Sequence, residues 1–121
     1  MAKKCSRCRE RNAEVYLAYS NLNLCADCFL ILVERKVKHA INAYRMIARD
    51  DRIGIAVSGG KDSATLAYIM NRLYSKIDMV LIYIDLGIPE YSAHCLGKVK
   101  ELAKMLDREI VIYSLEKELG F

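Results

Sequence analysis

No stretch of the sequence approaches the roughly 20 consecutive apolar residues needed to cross a bilayer, and the apolar run Met79–Ile84 stops at Asp85. The first residues, Met-Ala-Lys-Lys-Cys, lack the apolar core of a secretory signal. These two absences argue against a membrane partner and lead to the expectation of a cytoplasmic protein. One proline among 121 residues and no low-complexity segment leave little room for disorder, and no internal repeat suggests a solenoid. With 54% hydrophobic and 28% charged residues the composition is globular. The length suits one modest domain with a small appendage.

The basic residues are concentrated in the front part. The chain carries a formal charge of +4, but residues 1–52 hold 11 Lys and Arg against 6 Asp and Glu, whereas residues 53–121 hold 8 against 9. Such asymmetry suits a polyanionic partner that meets the first section.

The five cysteines are odd in number and four of them are paired in spacing, which fits reduced, metal-binding thiols better than a secreted disulfide scaffold. Cys5 and Cys8 form one Cys-x-x-Cys pair and Cys25 and Cys28 another, with 16 residues between. Two-residue gaps let each turn aim two thiolates at one ion, and two such turns complete a tetrahedral zinc site. Redox pairs and inert buried thiols are the competing readings. With all four positions filled by sulfur, the site reads as structural, and metal binding would replace the core that residues 3–28 lack. Lys3, Lys4, Arg7, Arg9 and Arg11 surround the first pair, either as an RNA backbone contact or as ordinary surface. Cys95 stands apart and is expected as a buried thiol on a helix face.

From Phe29 to Arg49 the residues Val33, Val37, Ala40, Tyr44 and Ile47 recur at steps of three and four, which predicts a long amphipathic helix. Its other face carries Arg35, Lys38, Asn42, Arg45 and Arg49, a basic stripe that is either solvated or set against RNA. Next come a strand at Ile53–Val57, a helix with Leu66, Ile69, Met70 and Leu73 on one face, and a strand at Met79–Asp85. A helix marked by Leu96, Val99, Leu102, Ala103 and Leu106, then a strand at Ile110–Tyr113, complete β-α-β-α-β. Strands apolar almost throughout belong to a parallel sheet covered on both faces. The expected organisation is an α/β chain with a zinc ribbon or knuckle at 1–28, a linking helix at 29–52 and a partial nucleotide-binding domain at 53–121. Three strands are half of a doubly wound sheet, so the sequence reads as a fragment of a longer enzyme or as a chain completed by a partner, and a homodimer is one such arrangement.

Ser58-Gly59-Gly60-Lys61-Asp62-Ser63 follows the first of these strands and opens a helix, as a phosphate loop does. Glycines permit close approach of a phosphate, and the first N–H groups of the helix supply donors and partial positive charge. Ser58 and Ser63 can add hydroxyls, Lys61 a charge near the leaving phosphates, and Asp62 a helix cap or a ligand for Mg²⁺. The order is not that of a Walker loop, because Asp62 follows the lysine.

This hexapeptide resembles the signature of the PP-loop ATP pyrophosphatases. With the cysteine pairs and basic helix before it, and Ile84-Asp85-Leu86-Gly87-Ile88 and Tyr91-Ser92 after it, nearly the whole chain is similar to the tRNA 2-thiouridine synthetases of the TtuA and TtcA group. The resemblance implies the adenine nucleotide alpha hydrolase fold, ATP with adenine near Ala56 and Ile84, phosphates at Ser58–Ser63, and Mg²⁺. It implies adenylation of a tRNA pyrimidine O2 and its displacement by sulfur from a donor such as a ubiquitin-like carrier protein. The group's catalytic cysteines, which carry sulfur or an iron–sulfur cluster, are expected downstream of Phe121, so the chain alone is expected to be inactive in thiolation. A non-catalytic zinc and nucleotide-binding module, or another PP-loop adenylating enzyme, is the alternative.

Overall fold

The computed structural model describes residues 3–120; Met1, Ala2 and Phe121, at the ends of the expected segments, lie outside them. The chain forms two compact units, Met1–Ile47 and Ala48–Phe121.

The first unit holds a two-stranded antiparallel ribbon, β1 (Val15–Leu17) and β2 (Leu22–Leu24), followed by helix α1 (Ala26–Ala43). Residues 3–28 do possess some apolar packing: Leu24 is buried with Cys5, Cys25 and Cys28, and Leu17, Leu22, Phe29 and Leu32 pack around them. The cluster encloses the thiols rather than forming a core apart from them. Helix α1 ends well before the expected Arg49. Arg45 adopts φ +48°, its N–H donates to the Asn42 carbonyl, and the Met46 N–H donates to the Ile41 carbonyl at 3.0 Å. This is the Schellman closure, with arginine where glycine is usual. Of the expected basic stripe only Arg35, Lys38 and Asn42 are helical, and Tyr44, expected on the apolar face, is 80% exposed.

The second unit is the expected β-α-β-α-β. Strands β3 (Arg52–Ala56), β4 (Asp78–Asp85) and β5 (Ile110–Ser114) form a parallel sheet in the order β3-β4-β5. Helix α2 (Lys61–Leu73) links the first two, α3 (Tyr91–Leu106) links the second two, and a short α4 (Leu115–Leu119) follows β5. Parallel register places Ile55 beside Leu81 and Ala56 beside Ile82. Ile55, Met79, Leu81 and Tyr83 are buried on the face that receives Ala67, Ile69 and Met70 of α2 and Val99, Leu102 and Leu106 of α3. The other face is not covered as expected, since Ile82, Ile84, Val111 and Tyr113 are exposed. Leu66, assigned from its spacing to the buried face of α2, is also exposed, and Ala67 takes the buried position. Arg108 ties the loops at one end of the sheet, donating to the Asn71 side chain at 2.7 Å and to the Ile77 and Ser75 carbonyls.

Candidate functional site

Each of the four paired cysteines is positioned by backbone. In the first turn the Cys5 N–H donates to the Arg11 carbonyl, the Arg9 N–H returns to the Cys5 carbonyl, and Arg9 takes φ +60°. In the second, Cys25 is the N-cap of α1, and its sulfur accepts from the Cys28 N–H at 3.4 Å. The Ser6 N–H donates to the Asn23 carbonyl, joining the two turns. All four sulfurs lie within 4.8 Å of one another, and Cys8 Sγ is 3.9 Å from Cys25 Sγ. Zinc–sulfur bonds of about 2.3 Å at tetrahedral angles place sulfurs about 3.8 Å apart, so the residues fit one ion. They are too close together to reach the four separate irons of a cubane cluster.

The electrostatics of the thiols point the same way. Burial pushes the Cys5 thiol up, but the N–H groups of Cys25, Cys8 and Arg7 outweigh it and bring it to about 6. The N–H groups of Arg11 and Glu10 lower Cys8. Cys28 is raised to about 12, first by its contact with the Cys25 sulfur and then by burial. Thiolates this close repel, and a divalent cation removes the conflict.

In the second unit, β3 delivers the chain to the loop at the carboxyl end of the sheet. Ser58 and Ser63 close it: the Ser58 N–H donates to Ser63 Oγ at 3.1 Å, the two hydroxyl oxygens are 3.2 Å apart, and the Gly60 N–H donates to Ser58 Oγ. Gly60 is the N-cap of α2 and no side chain caps this helix. The N–H groups of Lys61, Asp62 and Ser63 therefore face outward as donors. Gly59 takes φ +89°, and a Cβ there would lie 3.1 Å from Cys95 Cα.

A cavity of about 420 Å³ opens beside this loop, lined by Ala56, Ser58, Ser63 and Ile84 together with Leu86, Tyr91 and Cys95. Four of the residues expected to bind nucleotide thus share one pocket. Gly59, Gly60 and Lys61 line a second cavity, with Ser63 common to both, and Asp62 lines neither. Cys95 is buried as expected, but its place in the pocket wall went unread, as did that of Tyr91, whose hydroxyl is held above its ordinary value by the neighbouring Cys95 thiol. Parallel topology was the signal available: every strand-to-helix junction of such a sheet lies at the same end, so the start of α3 must flank the loop after β3. The wall is fixed by Ser92, whose Oγ accepts from the Ile88 N–H at 2.9 Å and whose carbonyl accepts from the Tyr83 hydroxyl.

Fold and site together define an α/β domain with a glycine loop at the carboxyl end of its sheet, preceded by a module whose four cysteines could hold a metal ion. Residues 30–119 match the family described as the PP-loop domain, and residues 4–30 match the N-terminal LIM domain of the 2-thiouridine synthetase TtuA. The chain belongs to the PP-loop family. It is 36% identical over 118 residues to a tRNA-5-methyluridine(54) 2-sulfurtransferase of Pyrococcus horikoshii, covering 98% of this chain and 37% of that protein. It is 31% identical to the cytoplasmic tRNA 2-thiolation protein 1 of Xenopus laevis, covering all of this chain and 37% of the relative. Among solved structures it resembles the U34-tRNA thiolase NcsA of Methanococcus maripaludis, described with its 4Fe–4S cluster, at a TM-score of 0.82 and 25% identity over 98% of this chain and 40% of that one. The chain therefore spans little more than a third of the length of these relatives.

Proposed function

We propose that this chain is the ATP-binding portion of a cytoplasmic tRNA 2-thiolation enzyme, with zinc in its four-cysteine module. The observation that carries this reading is the pairing of a four-sulfur site in the first unit with an uncapped glycine loop in the second, a pairing that tRNA 2-thiolation proteins match along nearly the whole chain. Cys5, Cys8, Cys25 and Cys28 hold the zinc. Ala56 and Ile84 flank the adenine, and the serines, glycines and Lys61 of the loop hold the phosphates. Asp62, exposed at the start of α2, is placed to hold Mg²⁺ on the solvent side.

In the reaction, the pyrimidine O2 attacks the α-phosphorus, the α–β bond breaks and pyrophosphate leaves. The loop N–H groups and Lys61 stabilise the charge that develops on the leaving group. The sulfur of a donor protein's thiocarboxylate then adds at C2 and expels AMP, and hydrolysis of the resulting acyl–sulfur bond frees the donor carboxylate and leaves the 2-thio group. The front part of the chain carries the positive charge to dock tRNA: Lys3, Lys4, Arg7, Arg9 and Arg11 near the first cysteine pair and Arg35 and Lys38 on α1. The bare apolar face of the sheet, with its β3 and β5 edges, favours association with a further protein surface, a second copy included.

Disrupting the gene in its source organism and analysing hydrolysed tRNA by mass spectrometry tests the reading. A 2-thiolated pyrimidine nucleoside should vanish and return on complementation. An unchanged set of thiolated nucleosides would refute it.

A further inference from the structure

The loop separates two cavities of different character. One, described above, is walled largely by apolar side chains around Ala56, Ile84 and Leu86. The other, of about 550 Å³, is bounded by Gly59, Gly60, Lys61 and Ser63 on the loop side and by α3, whose Val99, Leu102 and Met105 give it an apolar floor and whose Lys98 and Glu101 give it charge. Between them Gly59 lies against Cys95, where an added Cβ would be 3.1 Å from both Cys95 Cα and Cβ. Helix α3 therefore runs past both, its first turn walling the first cavity and its middle turns the second. Ser63 borders both and joins them over this waist.

Lys61, Lys98 and the uncapped first residues of α2 line the second cavity. Neither Lys61 nor Lys98 is held in an ion pair among the described residues, where the ion pairs are Arg11–Asp27 and Arg52–Asp78. A nucleoside polyphosphate laid across the waist places its base against apolar walls and its terminal phosphates between two free cations.

We propose that Lys98 is a second phosphate-binding cation of this site, contacting the β and γ phosphates from α3, opposite Lys61. The proposal rests on the ATP reading and adds to it a residue outside the loop signature. Glu101 lies one turn along α3 on the same cavity. Its carboxylate disfavours a bare polyphosphate there, so the ligand that fits is the magnesium complex.

Calorimetry on the whole zinc-loaded chain, with ATP and AMP in magnesium, tests it with Lys98→Ala and Lys98→Arg. Lys98 is exposed, so neither change disturbs the core. With Lys98→Ala, ATP should bind about fivefold more weakly, as loss of one exposed charge contact implies, while AMP affinity stays within about twofold; Lys98→Arg should recover most of the ATP loss. Equal weakening of both nucleotides, or no change in either, overturns the role of Lys98 and leaves the ATP reading standing. A wild-type chain that binds neither nucleotide removes both.

Discussion

Gly59 and Gly60 are neighbours with different duties. Gly59 needs φ +89° and sits against the Cys95 backbone, whereas Gly60 has an ordinary φ of −89° and an added Cβ would meet only Ser58 Oγ at 3.3 Å. Gly59→Ala should therefore destabilise the second unit by about 1–3 kcal/mol, and Gly60→Ala, at the N-cap of α2, by about 1 kcal/mol or less; thermal melts of the two variants give the comparison, and a loss at Gly60 as large as that at Gly59 would contradict this division. The sequence displays both glycines as phosphate-loop residues without distinguishing them, because the sign of φ is decided by where the chain must turn after β3. Cys95 was legible as a buried thiol from its spacing to Val99. That it closes on Gly59 depends on how α3 is seated, which helical periodicity does not specify. Leu66 shows the same limit: a side chain at the right step can still lie outside a buried stripe that Ala67 occupies.

At the scale of elements, the strands and helices of the second unit were readable because apolar runs of strand length alternate with helical periods. Helix α1 was readable in its middle and misread at its end. The apolar period continues to Ile47, while the backbone turns left-handed at Arg45 and closes on Ile41 and Asn42. With no glycine to mark that turn, the pattern gave no stop. The start of α1 has a different dependence, since its cap is a proposed zinc ligand, Cys25. Chelating the metal should therefore unmake the ribbon and the first turns of α1 together. Hydrogen exchange should show protection lost across residues 5–32 and kept in β3, β4 and β5. Survival of protection around Leu24 after complete metal removal would mean that the small apolar cluster suffices without zinc.

For the whole molecule, the sequence places a basic excess in the first 52 residues and a near-neutral balance after them, in keeping with the proposed division between RNA docking and nucleotide chemistry. The gathering of four sulfurs within 4.8 Å was legible, because Cys-x-x-Cys spacing fixes the geometry of each turn locally. The nucleotide site was legible only as a loop. The far wall of the cavity beside it, Tyr91, Ser92 and Cys95, comes from a helix some thirty residues on, and only the parallel topology brings it there. The open sheet face runs against the pattern, because strands apolar on both sides imply cover on both, while Ile82, Ile84, Val111 and Tyr113 are exposed.

The central claim is that Ser58–Ser63 is a working phosphate loop in this chain. Calorimetric titration of ATP and magnesium into the zinc-loaded protein, alongside Gly60→Asp, tests it most directly. Gly60 has an ordinary φ, and a Cβ there would press only on Ser58 Oγ, a side-chain hydroxyl that can shift, so the variant should fold and act through its negative charge at the start of α2. The account predicts saturable ATP binding by the wild type and its loss, by about tenfold or more, in Gly60→Asp, because an anion then faces the phosphates where N–H donors stood. Equal ATP binding by the two folded proteins, or none by the folded wild type, would contradict it.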